Sequence, residues 1–245
     1  MRNYKITIAY DGTKYQGWQK QKNTDNTIQG ILEQAISDFI GYQVTIDGSG
    51  RTDGGVHAYG QVANVKISGK VAEETFREEL NERLPDDIRI RKVELVKNGF
   101  HSRYSAKAKR YEYIVDQNEK PNVFTRKYCY HFTKPLDIER MKEAAELLKG
   151  THDFGGFTDK KDEKSTVRTI YQIQIEKEKG KIRLEFYGNG FMYHMVRILT
   201  GTLLEIGTGE KTLEDIGKIF QTRERKEAGT LVPSIGLCLR EVLYD

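Results

Sequence analysis

The chain has 245 residues, enough for one large or two small domains with a substantial core. Charged residues make up 31% of it and the formal net charge is +4, a mild basicity that permits a polyanionic partner without demanding one. Two distant cysteines, Cys129 and Cys238, offer neither a disulfide framework nor zinc-site spacing and fit a reducing cytoplasm, and no apolar run is long enough to span a membrane.

Residues 4–10 alternate apolar and polar side chains and are expected as a half-buried strand, with no signal-peptide pattern before it. Asp11-Gly12 breaks it, and a polar loop follows that carries Tyr15, Gly17, the single tryptophan Trp18, Gln19 and Gln21. Ile28, Ile31, Leu32, Ala35, Ile36, Phe39 and Ile40 recur at helical spacing, with Gly41 as the stop. Val44 and Ile46 predict a strand entering a glycine-rich loop at 48–58, and 61–67 a strand leaving it. Ala72, Phe76, Leu80 and Leu84 mark a second helix ended by Pro85, and Ile88, Ile90, Val93 and Leu95 a closing strand. The order is β-α-β-β-α-β, the ferredoxin-like arrangement.

The second half repeats this mixture. A strand ends the stretch 100–115, and Tyr128 to Phe132 reads as its neighbour. A helix follows from Ile138 to Leu148 with Asp137 as N-cap, and then THDFGGF and a charged surface loop at 159–164. Residues 167–176 and 181–187 read as a hairpin turned at Lys179-Gly180, 191–206 as a buried helix, 213–220 as a short one, and 237–243 as a final strand. The fold class expected is α+β: two ferredoxin-like halves, 1–104 and 105–245, forming an extended, mainly antiparallel sheet with helices on one face and a central cleft.

The loop GSGRTDGGVHA places the carboxylate of Asp53 after Arg51 and Thr52, with glycines on both sides. Glycines let a backbone take positive φ and approach a ligand closely, and a carboxylate beside a cation stays ionised. A plain hairpin connection would not need Arg, Thr and Asp in a row with His57 four positions on. Lys107, Lys109 and Arg110 lead into Tyr111, which suits phosphates and a stacked base, or equally an edge strand with a solvated face. Arg197 lies in the apolar run GFMYHMVRILTG, where it needs an anionic partner, for which Asp53 is the natural candidate, or must reach solvent. Trp18 is either a packed core ring or part of a nucleic-acid contact loop. VPSIGLCL, at 232–239, reads as a turn feeding a core strand. Gly188-Asn189-Gly190 lacks any phosphate-loop context, the five histidines show no metal spacing, and His152-Asp153 reads as a helix-end hydrogen-bonding pair.

These motifs occur in an order that resembles one family. YDGTKYQGWQKQ, GRTDGGVHA, FHSRYSAKAKRYEY, THDFGGF, VRTI, FMYHMVRILTG and VPSIGLCL together are similar to the bacterial tRNA pseudouridine synthase A family, nearly end to end. The resemblance implies a cofactor-free isomerase that converts uridine to pseudouridine at positions 38, 39 and 40 of the tRNA anticodon arm, and a homodimer; the cysteine usage gives the expected cytoplasmic location. Carried over motif by motif, it implies that Asp53 is the catalytic aspartate, Arg51 helps extrude the target nucleotide, Tyr111 stacks on the flipped base, Arg197 pairs with Asp53, and Leu237 lines the pocket. Trp18, Lys109 and Arg110 are expected among the substrate contacts. Gly54 stands where the family pattern has alanine, and Val232 where a smaller residue is usual, so a looser catalytic loop is expected.

The chemistry suits the residues. Breaking the N1–C1′ bond, turning the uracil and joining C5 to C1′ conserves all the atoms of the nucleotide, so one carboxylate working at the ribose suffices. Two other readings use the same residues: a non-catalytic RNA-binding protein, which would not need Asp53, and a nucleoside or glycoside hydrolase, which would want a second carboxylate, with Asp11 available.

Overall fold

The computed structural model describes residues 1–160 and 165–244. Most of the charged loop expected at 159–164 therefore lies outside the described residues. The fold is mixed α+β, and the chain divides into two compact units, Met1–Lys107 with the terminal segment from Cys238, and Ala108–Leu237.

In the first unit, β1 (Arg2–Tyr10) lies between β3 (His57–Ile67) and β4 (Ile88–Val96), antiparallel to both. Tyr4, Ile6, Ile8 and Tyr10 alternate on its buried face, as the period of two requires. Two helices cover that face, α1 (Ile28–Ile40) and α2 (Glu73–Arg83). Phe76 of α2 stacks on Phe39 of α1 and meets the Tyr4 ring edge-on, with centroids 5.7 and 5.3 Å apart. The Thr27 hydroxyl caps α1 at Gly30 N, and Gly41 ends it at φ 80°.

The strand expected around Val44 and Ile46 is shorter than its apolar residues suggest. Only β2 (Asp47–Gly48) pairs with β3, against Asn64 and Ala63. Ile46 is buried without joining the sheet. Conversely β3 starts at His57, inside the glycine-rich motif, rather than at Gln61. Its first residues gain a partner that local pattern could not reveal: β10 (Leu237–Leu243) runs parallel to them, Cys238 opposite His57 and Leu239 opposite Ala58.

In the second unit, β5 (Ala108–Asp116) pairs antiparallel with β9 (Lys181–Gly188), β9 with β8 (Val167–Glu178), and β8 with β7 (Gly150–Asp153). The two-residue β6 (Tyr130–His131) pairs parallel with the end of β5. Lys179 and Gly180 turn the β8–β9 hairpin with φ of 49° and 75°, the left-handed pair that matches strand twist. Three helices complete the unit: α3 (Ile138–Leu148), capped by Asp137, α4 (Met195–Thr208), and α5 (Leu213–Thr222). Helix α4 begins four residues later than its apolar run predicts, because His194 sits at φ 62° and interrupts helical geometry just before it.

Candidate active site

The loop carrying Asp53 is fixed by side chains of its own unit. After β2, Ser49 N donates to Val62 O at 2.7 Å. The fully buried Gln61 then bridges two loop residues, accepting from Ser49 Oγ at 2.7 Å and donating through Nε2 to Gly50 O at 3.1 Å. Thr52 is buried, its hydroxyl 2.8 Å from the Tyr10 phenol and its carbonyl accepting from Trp18 N at 3.0 Å. Burial pushes the Tyr10 phenol well above the usual tyrosine range, although hydrogen bonds with Thr52 and Gln61 oppose it, so it stays neutral.

The polar loop at 12–19 forms the other wall. A Cβ on Gly17, which has φ 92°, would lie 2.6 Å from Thr52 O and 3.1 Å from the Asp53 carbonyl carbon. Only glycine satisfies both that dihedral and that approach. Gly12 N donates to His57 Nδ1 at 3.1 Å, and a Cβ there would collide with Val56 O. Gly55 N donates to Tyr15 O at 3.3 Å, and Val56 N to Asp53 O at 3.2 Å. Asp53 itself is half-buried, on a backbone held before and after it.

Gly54 does not loosen this arrangement as its sequence suggests. It needs no left-handed φ, a Cβ on it would meet Tyr15 O at an ordinary 3.5 Å, and its neighbours are hydrogen-bonded. Arg51 is exposed, with Nε donating to Gln19 Oε1 at 2.9 Å, which ties its stem to the 12–19 loop. Trp18 takes the packing role rather than the contact role. At 2% exposure it cannot offer its ring to a base; it packs on Gly48, where an added Cβ would lie 2.5 Å from the indole nitrogen.

The other sequence-selected residues belong to the second unit. On β5, Lys109, Tyr111 and Tyr113 alternate onto one face, and Arg110 and Glu112 onto the other. Arg110 pairs with Glu185 at 2.5 Å and lies over the Tyr187 ring, 4.6 Å from its centroid. The expectation that Lys109 and Arg110 together meet the substrate beside Tyr111 is corrected accordingly: only Lys109 shares the tyrosine's face. Tyr111 is 8% exposed and meets Phe191 edge-on at 5.3 Å.

Arg197 projects from the first turn of α4, and its Nε donates to Val232 O at 2.8 Å. The next carbonyl, that of Pro233, accepts from the Tyr113 hydroxyl at 2.6 Å. Burial pushes the Tyr113 phenol far up, with the nearby Arg197 charge acting in the opposite direction. The segment 232–236 is thus pinned from both α4 and β5. Gly236 closes the fit, since a Cβ there would lie 2.8 Å from the Tyr113 ring, and Leu237 follows it, buried. Just before α4, His194 Nδ1 lies 2.6 Å from Asp159, which also accepts from Arg225 Nε at 2.8 Å.

His152 and Asp153 lie on β7 and bond other groups rather than each other, which corrects the helix-end pair expected from the sequence. His152 bonds the Lys149 carbonyl at the end of α3, while Asp153 accepts from Gly155 N and the Thr166 hydroxyl. Among the described residues, no group of three or more His, Cys, Asp or Glu side chains is arranged to hold a metal ion. No helix is long and apolar enough to cross a membrane, again among the described residues.

The sequence reading missed Gln61, Tyr10 and Gln19 as supports of the loop. Gln61 carries a legible signal: it pairs with Ile8 on the buried face of β3, where a polar residue needs a dedicated partner.

Comparison with known proteins bears on the chain as a whole. A family model described as tRNA pseudouridine synthase matches residues 6–105 and 144–245. Over its whole length the chain is 44% identical to tRNA pseudouridine synthase A 2 of Bacillus cereus, covering 100% of both chains. It is equally similar, 44% over 100% of each chain, to tRNA pseudouridine synthase A of Acetivibrio thermocellus and of a Thermoanaerobacter species.

Proposed function

The chain belongs to the tRNA pseudouridine synthase family, and from that premise we propose that Asp53 is the catalytic carboxylate, with Arg197 its partner and the anticodon arm its target. The reaction is the isomerisation of uridine to pseudouridine in tRNA. The observation that carries the assignment is the scaffolding around Asp53: Gln61, Tyr10, Trp18 and Gly17 fix its backbone from several sides, an investment a mere connection does not need.

The remaining roles follow from the family motifs. Asp53 acts on the ribose, by attack at C1′ or by removal of a sugar proton. Arg197, anchored through Nε, presents a guanidinium whose terminal nitrogens suit bidentate pairing with a carboxylate, which would orient Asp53. Arg51 is exposed and helps draw the target nucleotide from its stack, a step costing a few kcal/mol. Tyr111 stacks on the extruded base, Lys109 meets a nearby phosphate, and Leu237 excludes the water that would turn isomerisation into hydrolysis. The target positions are 38, 39 and 40, and the working enzyme is a cytoplasmic homodimer.

Two ferredoxin-like halves, 1–104 with the catalytic loop and 105–245 completing the site, complete this reading. The adjacencies β4-β1-β3-β2 in the first unit and β5-β9-β8 in the second support it, each strand set interleaved with helices in chain order.

The test is tRNA carrying tritium at uracil C5. Isomerisation replaces the C5–H bond with C5–C1′ and releases the label to water, so tritium release without free uracil is expected. Free uracil would identify a hydrolase, and neither product a non-catalytic binder.

A further inference from the structure

We propose that Tyr59, Arg91 and Arg240 form a site that grips a backbone phosphate of the substrate RNA. The inference rests on the tRNA-modifying reading above and adds a contact that the family motifs do not supply.

The site is built from two register irregularities on either side of β1. On the β3 side, Ile8 faces Gln61 but Tyr10 faces Ala58, so Tyr59 and Gly60 together oppose Ala9. On the β4 side, Thr7 faces Lys92 and Ile8 faces Ile90, so Arg91 has no opposite number. Bulges re-aim side chains, and these two sit at one level of the sheet. They bring Arg91 to Tyr59: Nη1 donates to the Tyr59 carbonyl at 3.0 Å, and the guanidinium lies 4.0 Å from the ring centroid. The residue between them, Ala9, is small enough to be crossed.

Arg240 arrives from the other side of β3. A Cβ on Gly60 would lie 2.5 Å from the Arg240 carbonyl, so glycine there permits the close approach of β10. The Arg240 guanidinium then rests 4.6 Å from the same ring centroid. Arg89, paired with Ala9 and exposed, adds a further cation at this level.

Two guanidiniums at one half-exposed ring repel each other, while each cation–π contact returns only about 0.5–1 kcal/mol at an exposed site. Arg91 forms no ion pair among the described residues. An anion that reaches both guanidiniums beside the exposed ring relieves the repulsion, and their planar forks match phosphate oxygens. With both arginines already against the ring, Tyr59 serves as their spacer rather than as a platform for a base. That favours a phosphate, and tRNA carries one phosphodiester at each backbone linkage.

The experiment measures binding of an unmodified tRNA transcript across a salt series, using wild type, Arg91→Gln, Arg240→Gln, the double variant and Arg91→Lys. Each phosphate contact removed is expected to make the slope of log Kobs against log salt shallower by about 0.9. Because both arginines grip the same phosphate, the double variant should lose about 0.9 in all and each single Gln variant no more than that, while Arg91→Lys keeps the slope. Arg77→Gln on α2, whose arginine pairs with Glu74, should leave the slope unchanged. Tritium release at saturating tRNA should survive in every variant. An unchanged slope in the Gln variants overturns the site, whether or not their oligomeric state changes, and leaves the isomerase reading intact. Absence of tritium release by the wild type would sink that reading instead, while a changed slope would still locate an RNA contact.

Discussion

At the scale of single residues, glycines around Asp53 have opposite standing. Gly17 combines a φ of 92° with an approach to Thr52 that excludes any side chain. Gly54 has neither constraint, so its missing methyl group costs only unfolded-chain entropy. Gly54→Ala should therefore raise stability by about 0.4–1 kcal/mol, whereas Gly17→Ala should lower it by about 2 kcal/mol or more, both read from urea midpoints. Equal effects would show that the loop is not pinned by Gly17. The Arg-Thr-Asp core of the proposed site stood out in the sequence because charge and hydroxyl in a glycine-rich loop exceed what a turn requires. Its supports were less so. Tyr10 and Trp18 look like ordinary core aromatics until their polar atoms and main-chain groups are seen bonding Thr52.

Among the elements, those with many periods were plain in the sequence and the short ones were not. Strand β1 and helix α1 repeat their pattern often enough to fix type and boundary, and Lys179-Gly180 announces the hairpin. Strand β7 has four residues and β2 two, too few to show a period, and the parallel pairing of β10 on β3 joins distant parts of the chain. Short β7 nevertheless ends in a residue that makes stability depend on pH. The Thr166 hydroxyl, the Gly155 amide and the Arg223 charge hold the Asp153 carboxyl below the usual carboxylate range, against the opposing effect of its partial burial. Asp116, at the end of β5, is likewise lowered, with burial opposing and the Asn118 amides prevailing. A depressed native pKa stabilises fully above the unfolded value, about 3.9, and that contribution fades as pH falls through the native one. The urea midpoint should thus decline as pH drops below about 4, with a shallower decline for Asp153→Asn. A parallel decline in that variant would mean Asp153 contributes nothing to acid sensitivity.

For the whole molecule, the net charge of +4 describes neither where RNA lies nor how it is held. The family fixes the reaction. The local structures propose where the work is done: one carboxylate on a braced loop, one arginine at the start of a buried helix, and an arginine pair gathered on a tyrosine by two bulges. Of these, the carboxylate is the group proposed to carry the chemistry. Asp53→Asn keeps the shape of the side chain and removes its charge, so it separates catalysis from binding. The most direct measurement is tritium release by that variant under single-turnover conditions, with tRNA affinity measured in parallel. No release above background with affinity retained is the predicted result. Release at the wild-type rate would contradict the account.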